Sequence, residues 1–218
     1  QLLFSLSNQE EMSFAPDSIL PALTKKFKSR TIKSMEILRK IYVFLIDIVQ
    51  TLLLAAAVFL VIYVFLFRPF QVNGDSMFPN FTDKEYILTN IITLNFREPK
   101  KNEVVVFKAP PDPEKDFIKR VIGTVGDRVM IKDTHVYLNG QLLDESKYLK
   151  PDVATYGGSF LKEGSEITVP AEKFFVMGDN RNYSSDSREW GFVSKSDIIG
   201  KSFFVYWPPN KVGPVKTP

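Results

Sequence analysis

From Ile48 to Phe67 the chain reads IVQTLLLAAAVFLVIYVFLF, a run of 20 residues without a charge. A helix rises about 1.5 Å per residue, so this run reaches across the roughly 30 Å hydrocarbon core of a bilayer. No polar face interrupts it, which sets it apart from the buried helix of a globular core. It also starts too far from the N-terminus, and runs too long, for the apolar segment of a cleaved signal sequence. The pattern predicts a retained transmembrane anchor. Lys25, Lys26, Lys28, Arg30, Lys33, Arg39 and Lys40 precede the run, whereas Arg68 is the only basic residue between it and Lys84. Positive charge stays on the cytoplasmic side of a membrane. The N-terminus is therefore expected in the cytoplasm, and the bulk of the chain, from Gln71 onward, on the other side.

Beyond Pro69 the pattern changes to short β-branched and aromatic runs bounded by Gly, Pro, Asn and Asp, which predict strands. The candidates are Glu103–Lys108, Asp116–Ile122, Arg128–Lys132, His135–Leu138, Glu166–Val169, Lys173–Met177 and Lys201–Trp207. Asn139-Gly140, set between HVYL and QLL, predicts a two-residue hairpin turn of type I′. Helical periodicity is scarce after the anchor. Residues 132–172 are more polar and turn-rich than their flanks and read as a small inserted cap. The expected organisation is a polar and basic segment over 1–40, the anchor over 41–67 and one β-rich domain over 68–218. Residues 1–22 read as a polar tail, and a start on Gln rather than Met reads as a trimmed or incomplete product.

Composition narrows the chemistry. With 218 residues, 44% of them hydrophobic, the chain can bury one domain core and still carry appendages. The net charge of +3 is mild and the basic residues cluster only ahead of the apolar run, so no nucleic-acid partner is expected. The absence of cysteine removes disulfides, thiolate nucleophiles and iron–sulfur ligation. His135 is the one histidine, which excludes multi-histidine metal sites and leaves a Ser-His-Asp triad a single candidate imidazole.

Just past the apolar run, VNGDSMFP (Val72–Pro79) makes a Gly-Asp turn that presents Ser76. A serine hydroxyl becomes a nucleophile only beside a group that takes its proton: a histidine, a carboxylate or a lysine held neutral. His135 precedes a hairpin tip and is ill-placed for the buried, oriented imidazole of a triad. A lysine serves only if an apolar setting lowers its pKa. Strand alternation in DFIKRVIG puts Lys119 on one face with Phe117 and Val121 and with no acid. Lys108 shares a face with Val104 and Val106 but stands at a strand end, within reach of water, so Lys119 ranks ahead of it. A second polar concentration, MGDNRNYSSDSREWGF (Met177–Phe192), gathers two serines with Asp186, Arg188 and Glu189 after a tight turn. Asp186 and Arg188 are spaced to pair and hold that loop, which otherwise reads as an ordinary surface turn.

Four stretches, GDSMFP (Gly74–Pro79), NEVVVFKAP (Asn102–Pro110), FIKRVIGTVGD (Phe117–Asp127) and MGDNRNYSSDSREWGFV (Met177–Val193), follow an N-terminal anchor in that order. Together they resemble the type I signal peptidases, membrane-anchored Ser/Lys proteases that remove signal peptides from exported proteins. The last stretch is the most specific of the four. The resemblance implies a mainly β fold, with one transmembrane helix followed by a catalytic domain of coiled antiparallel sheets, and no metal or cofactor. It implies Ser76 as nucleophile, Lys119 as general base, Ser184 as a residue that orients the lysine, and Asp186 with Arg188 as a bracing pair. Met77 is expected as a neighbour of substrate. Many members carry a serine two residues before the nucleophile that joins the oxyanion hole, where this chain has Gly74; its hole would rest on the Ser76 N–H.

The implied partners are preproteins whose signals end in Ala-x-Ala, the lipid bilayer and the protein export machinery. The implied location is a plasma membrane of bacterial type, with an organelle membrane as the other setting. Against this stands a non-enzymatic or narrow-specificity tethered β domain that binds extended peptides. Such a module has no reason to keep Ser76, Lys119 and Ser184 together.

Overall fold

The computed structural model describes residues 19–216. The chain divides into two units, Gln1–Phe59 and Leu60–Pro218. Helix α1, Ile19–Leu66, contains the stretch Ile32–Tyr63, which is long and apolar enough to cross a membrane. The expected anchor lies within this helix except for its last residue, Phe67, which opens the first strand. Of the polar tail expected over 1–22, residues 1–18 lie outside the described residues, and the remainder belongs to α1.

The second unit is built from strands β1 (Phe67–Gln71), β2 (Tyr86–Asn90), β3 (Val104–Ala109), β4 (Asp112–Gly123), β5 (Arg128–Lys132), β6 (His135–Leu138), β7 (Gln141–Leu142), β8 (Glu166–Thr168), β9 (Lys173–Met177), β10 (Val193–Ser194), β11 (Ile198–Trp207) and β12 (Gly213–Pro214). Two single-turn α-helices, α2 (Thr93–Phe96) and α3 (Ser187–Trp190), and two 3-10 turns, Lys195–Asp197 and Pro209–Lys211, complete it among the described residues. The larger sheet runs in the order β1-β2-β11-β3-β4-β9-β10, with β12 added to β11, and the smaller runs β7-β6-β5-β8. Every strand pair is antiparallel. The fold is thus the mainly β architecture expected behind an apolar helix.

The continuous apolar runs follow from burial on both faces. In β3, Val104 and Val106 join a core with Met77, Phe81 and Ile87, while Val105 and Phe107 join another with Phe174 and Val176. In β9, Phe175 and Met177 turn the other way, toward Ile131, Val136 and Leu161 of the smaller-sheet region. At the β6–β7 hairpin Asn139 and Gly140 take φ of 55° and 81°, the two positive values a type I′ turn requires.

Strands β1, β2, β10 and β12 escape the sequence pattern, and β4 begins before its predicted start. β1 contains Pro69, which offers no N–H to a ladder, but β1 is an edge strand with a partner on one side only. Among the described residues the polar start of β4, Asp112–Asp116, has a partner only in β3, because pairing with β9 begins at Arg120. Lys119 is therefore the last residue of β4 before its second neighbour starts.

Candidate active site

Ser76 stands on the loop between β1 and β2, which is closed by Val72 N–H donating to the Glu85 carbonyl and Lys84 N–H to the Val72 carbonyl, both at 2.8 Å. Gly74 takes φ +87°, a left-handed conformation a side chain would strain, and its N–H donates to Asp83 Oδ1 at 2.7 Å. Asn180 holds the Ser76 backbone from the other side. Its N–H donates to the Ser76 carbonyl and its Nδ2 to the Asp75 carbonyl, each at 3.0 Å. Among the described residues the Ser76 N–H donates to nothing.

Lys119 reaches Ser76 from β4. Nζ donates to Ser76 Oγ at 2.7 Å and to the Ile118 carbonyl at 3.0 Å, and it lies 5.2 Å over the Phe117 ring. The lysine is only 3% exposed. Burial lowers its pKa from 10.5 to about 8; the Asp186 and Asp179 charges push it up in part, and the Arg188 charge pushes it down. Lys108, the competing lysine, is exposed and paired with Asp116 at 2.8 Å. His135 is also exposed, with Nδ1 2.6 Å from the Asp133 carbonyl oxygen.

The pair sits in a cleft of about 790 Å³ whose lining includes Val72, Ile87, Val106 and Ile118. Met77, expected beside substrate, is instead fully buried in the core with Phe81 and Ile87 and does not line the cleft. Ser76 is half-buried and Met77 wholly buried, so the side chain that follows Ser76 turns into the core.

The loop after β9 packs behind the serine. Asp186 caps α3, accepting from the Arg188 N–H at 3.2 Å and the Gly178 N–H at 2.9 Å. Its carboxylate also takes Arg188 Nε at 2.8 Å and Nη2 at 2.9 Å, so the expected pair forms, out of water. Ser184 lies beside Gly178, where an added Cβ would overlap both Ser184 Oγ and the Ser76 carbonyl oxygen. Ser184 Oγ is buried there without a hydrogen-bond partner.

Sequence reasoning missed a second buried pair. Arg120 Nε and Nη2 donate to the two oxygens of Asp179 at 2.8 and 2.7 Å, both side chains wholly buried. The available signal was alternation: if Lys119 faces the cleft, Arg120 must face the interior and needs an acid there. The acid is the Asp of Gly-Asp-Asn-Arg.

A serine hydroxyl 2.7 Å from a desolvated amine, with a free N–H at the same residue, is suited to nucleophilic attack on a carbonyl. The arrangement fits a hydrolase. Comparison with known proteins narrows the class: the family model described as signal peptidase, peptidase S26, matches residues 45–207, and the chain belongs to that family of peptidases. It is 34% identical over 175 residues to signal peptidase I of Bacillus amyloliquefaciens, covering 78% of this chain and 92% of that one. It is 31% identical over 176 residues to signal peptidase IB of Staphylococcus aureus, covering 74% and 91%. A crystal structure of a signal peptidase I from Enterococcus faecalis is 27% identical, with a TM-score of 0.40, over 48% of this chain and 97% of that one.

Proposed function

We propose that the chain is a membrane-anchored serine endopeptidase that removes N-terminal signal peptides from exported preproteins, with Ser76 as nucleophile and Lys119 as general base. The observation that carries this is the 2.7 Å contact between Ser76 Oγ and a lysine amine removed from water. Neutral Lys119 accepts the hydroxyl proton as Oγ attacks the scissile carbonyl. The Ser76 N–H donates to the resulting oxyanion. Lys119 then gives the proton to the leaving amine, and the acyl-enzyme is released by a water that the same lysine deprotonates. Asp186 with Arg188 braces the loop behind the pair, and Ser184, its hydroxyl buried without a partner beside Gly178, takes the lysine-orienting role that the family resemblance implies.

Substrate lies extended along the unpartnered flank of β4, and branched side chains at Val72, Ile87, Val106 and Ile118 favour small residues before the cut, as in Ala-x-Ala. Helix α1 anchors the enzyme, with residues 1–40 in the cytoplasm, the membrane crossed within 41–67, and the catalytic part, 68–218, on the extracytoplasmic side. Within that part residues 132–172 form an inserted cap. Preproteins emerging from the export machinery are the substrates.

The test is cleavage of a preprotein whose signal ends in Ala-x-Ala by the detergent-solubilised full chain, with the cut located by mass spectrometry. Wild type should cut after the second Ala, and Ser76→Ala and Lys119→Met should be inactive while folded. Cleavage surviving in Lys119→Met would assign the base elsewhere. A wild type that binds but never cuts would favour the peptide-binding reading.

A further inference from the structure

A set of buried polar groups lies behind Ser76 and Lys119 that the proton transfer does not use. Besides its two bonds to Asp179, Arg120 donates from Nη1 to the Asn102 carbonyl at 2.8 Å and the Lys216 carbonyl at 3.2 Å. A guanidinium has all its donors in one plane, so its flat faces need a different neighbour. Tyr148 supplies it: Arg120 Cζ lies 4.2 Å from the centroid of the Tyr148 ring.

Tyr148 comes from the segment between β7 and β8, outside the larger sheet. Its hydroxyl donates to Glu145 Oε1 at 2.8 Å, and burial raises its pKa, so the ring stays neutral and fixed. Its carbonyl oxygen accepts from Asn80 Nδ2 at 2.7 Å, and the same Nδ2 donates to Asp179 Oδ2 at 2.8 Å. Asn80 is four residues on from Ser76 in the same loop. Glu145 also holds Arg181, whose Nε donates to the Gly178 carbonyl at 3.0 Å and whose Nη1 donates to Thr155 Oγ1 at 2.8 Å. The turn that carries Gly178, Asp179 and Asn180, and that grips the Ser76 backbone, is thus held on its far side by Tyr148 and Glu145.

We propose that Tyr148 is a positioning residue for the Ser76–Lys119 pair: its ring keeps Arg120 flat against Asp179 while its carbonyl keeps Asn80 in place, and the two arms fix the nucleophile's turn. This rests on the peptidase reading above. The Tyr148 hydroxyl is secondary to the ring, because neither arm runs through it. The polar insertion between β7 and β8 therefore sets catalytic geometry from behind the site.

The experiment compares the full chain in detergent as wild type, Tyr148→Phe, Tyr148→Leu and Asn80→Ala. It reads kcat and KM on the preprotein together with amide hydrogen exchange. Tyr148→Phe should stay within about 3-fold of wild type. Tyr148→Leu and Asn80→Ala should lose roughly 10- to 100-fold in kcat with KM little changed, the signature of misplaced reacting groups. Exchange should quicken at residues 76–81 and 178–181 and stay unchanged in β5 and β6. Wild-type kcat in Tyr148→Leu, or in Asn80→Ala should the former not fold, would overturn the proposal. So would equal losses in Tyr148→Phe and Tyr148→Leu, or exchange quickened throughout. If wild type cuts no preprotein, the functional reading fails, and the exchange pattern alone decides whether Tyr148 positions the turn.

Discussion

Lys119 Nζ and Ser76 Oγ meet at 2.7 Å across 43 residues of chain, one on a strand buried among apolar side chains, the other on a loop pinned by Asn180. The sheet supplies a dry amine and the loop supplies a hydroxyl at its tip.

The dependence on pH follows from that dryness. At pH 7 an amine titrating at about 8 is neutral in roughly one molecule in ten, against roughly one in three thousand at the ordinary 10.5. The acid limb of kcat/KM should rise with pH through about 8. A limb near 10.5 would mean that Lys119 is solvated in the working enzyme.

The same shift has a cost in stability, with a definite sign. The folded-state pKa lies below the unfolded one, so protonating Lys119 favours unfolding; the penalty is complete below about 8 and gone above 10.5. Lys119→Met removes it. The variant should be inactive yet more stable at pH 7, by roughly 3 kcal/mol for a shift from 10.5 to about 8, and the gap should close as pH rises through 8 to 10.5. Thermal unfolding midpoints across that range check it, and a gap independent of pH would refute the linkage.

Asp186→Asn separates bracing from electrostatics. It leaves the buried Arg188 charge uncompensated, at a cost of about 3 kcal/mol in denaturant unfolding. Asp186 also pushes the Lys119 pKa up, and Arg188 pushes it down. With the carboxylate gone both effects point the same way, so residual activity should show its acid limb displaced to lower pH. An unmoved limb would make the pair purely structural.

Gly178→Ala should be harmful out of proportion to one methyl group. The new Cβ would overlap Ser184 Oγ and the Ser76 carbonyl oxygen, both parts of the site. Overpacking of this kind costs about 1–3 kcal/mol. Because the strain falls on Ser76, kcat should drop more than KM rises. A folded variant with wild-type kcat would show that the loop yields without moving the serine.

Much of this was legible in the chain. Strands β5, β6 and β9 match their predicted bounds, because alternation or full burial marks them and turn residues frame them. Lys119 was favoured over Lys108 by its place within a strand rather than at its end, and the structure buries the first and exposes the second. Strand β1 was hidden by Pro69, which only an edge tolerates, and edges are settled by the assembled sheet. The Arg120–Asp179 pair was hidden because its members are 59 residues apart in sequence, and each alone looks like a surface charge. Met77 was placed beside substrate by its proximity to Ser76 in sequence, a measure that ignores which way consecutive side chains point.

Among the described residues the long strand β4 has one flank bare from Asp112 to Lys119, since β9 joins it only at Arg120. An open ladder of this kind invites any passing chain to pair with it, including another copy of the same protein. Its exposed beginning reads Asp-Pro-Glu-Lys-Asp, one residue lacking an N–H and four carrying charge. Such a sequence repels stacking of like upon like at its outer end and leaves the apolar inner end, around Phe117 and Ile118, as the inviting part. The strand is thereby guarded against self-association at one end and hospitable to a guest at the other, and the hospitable end is the one that meets the serine.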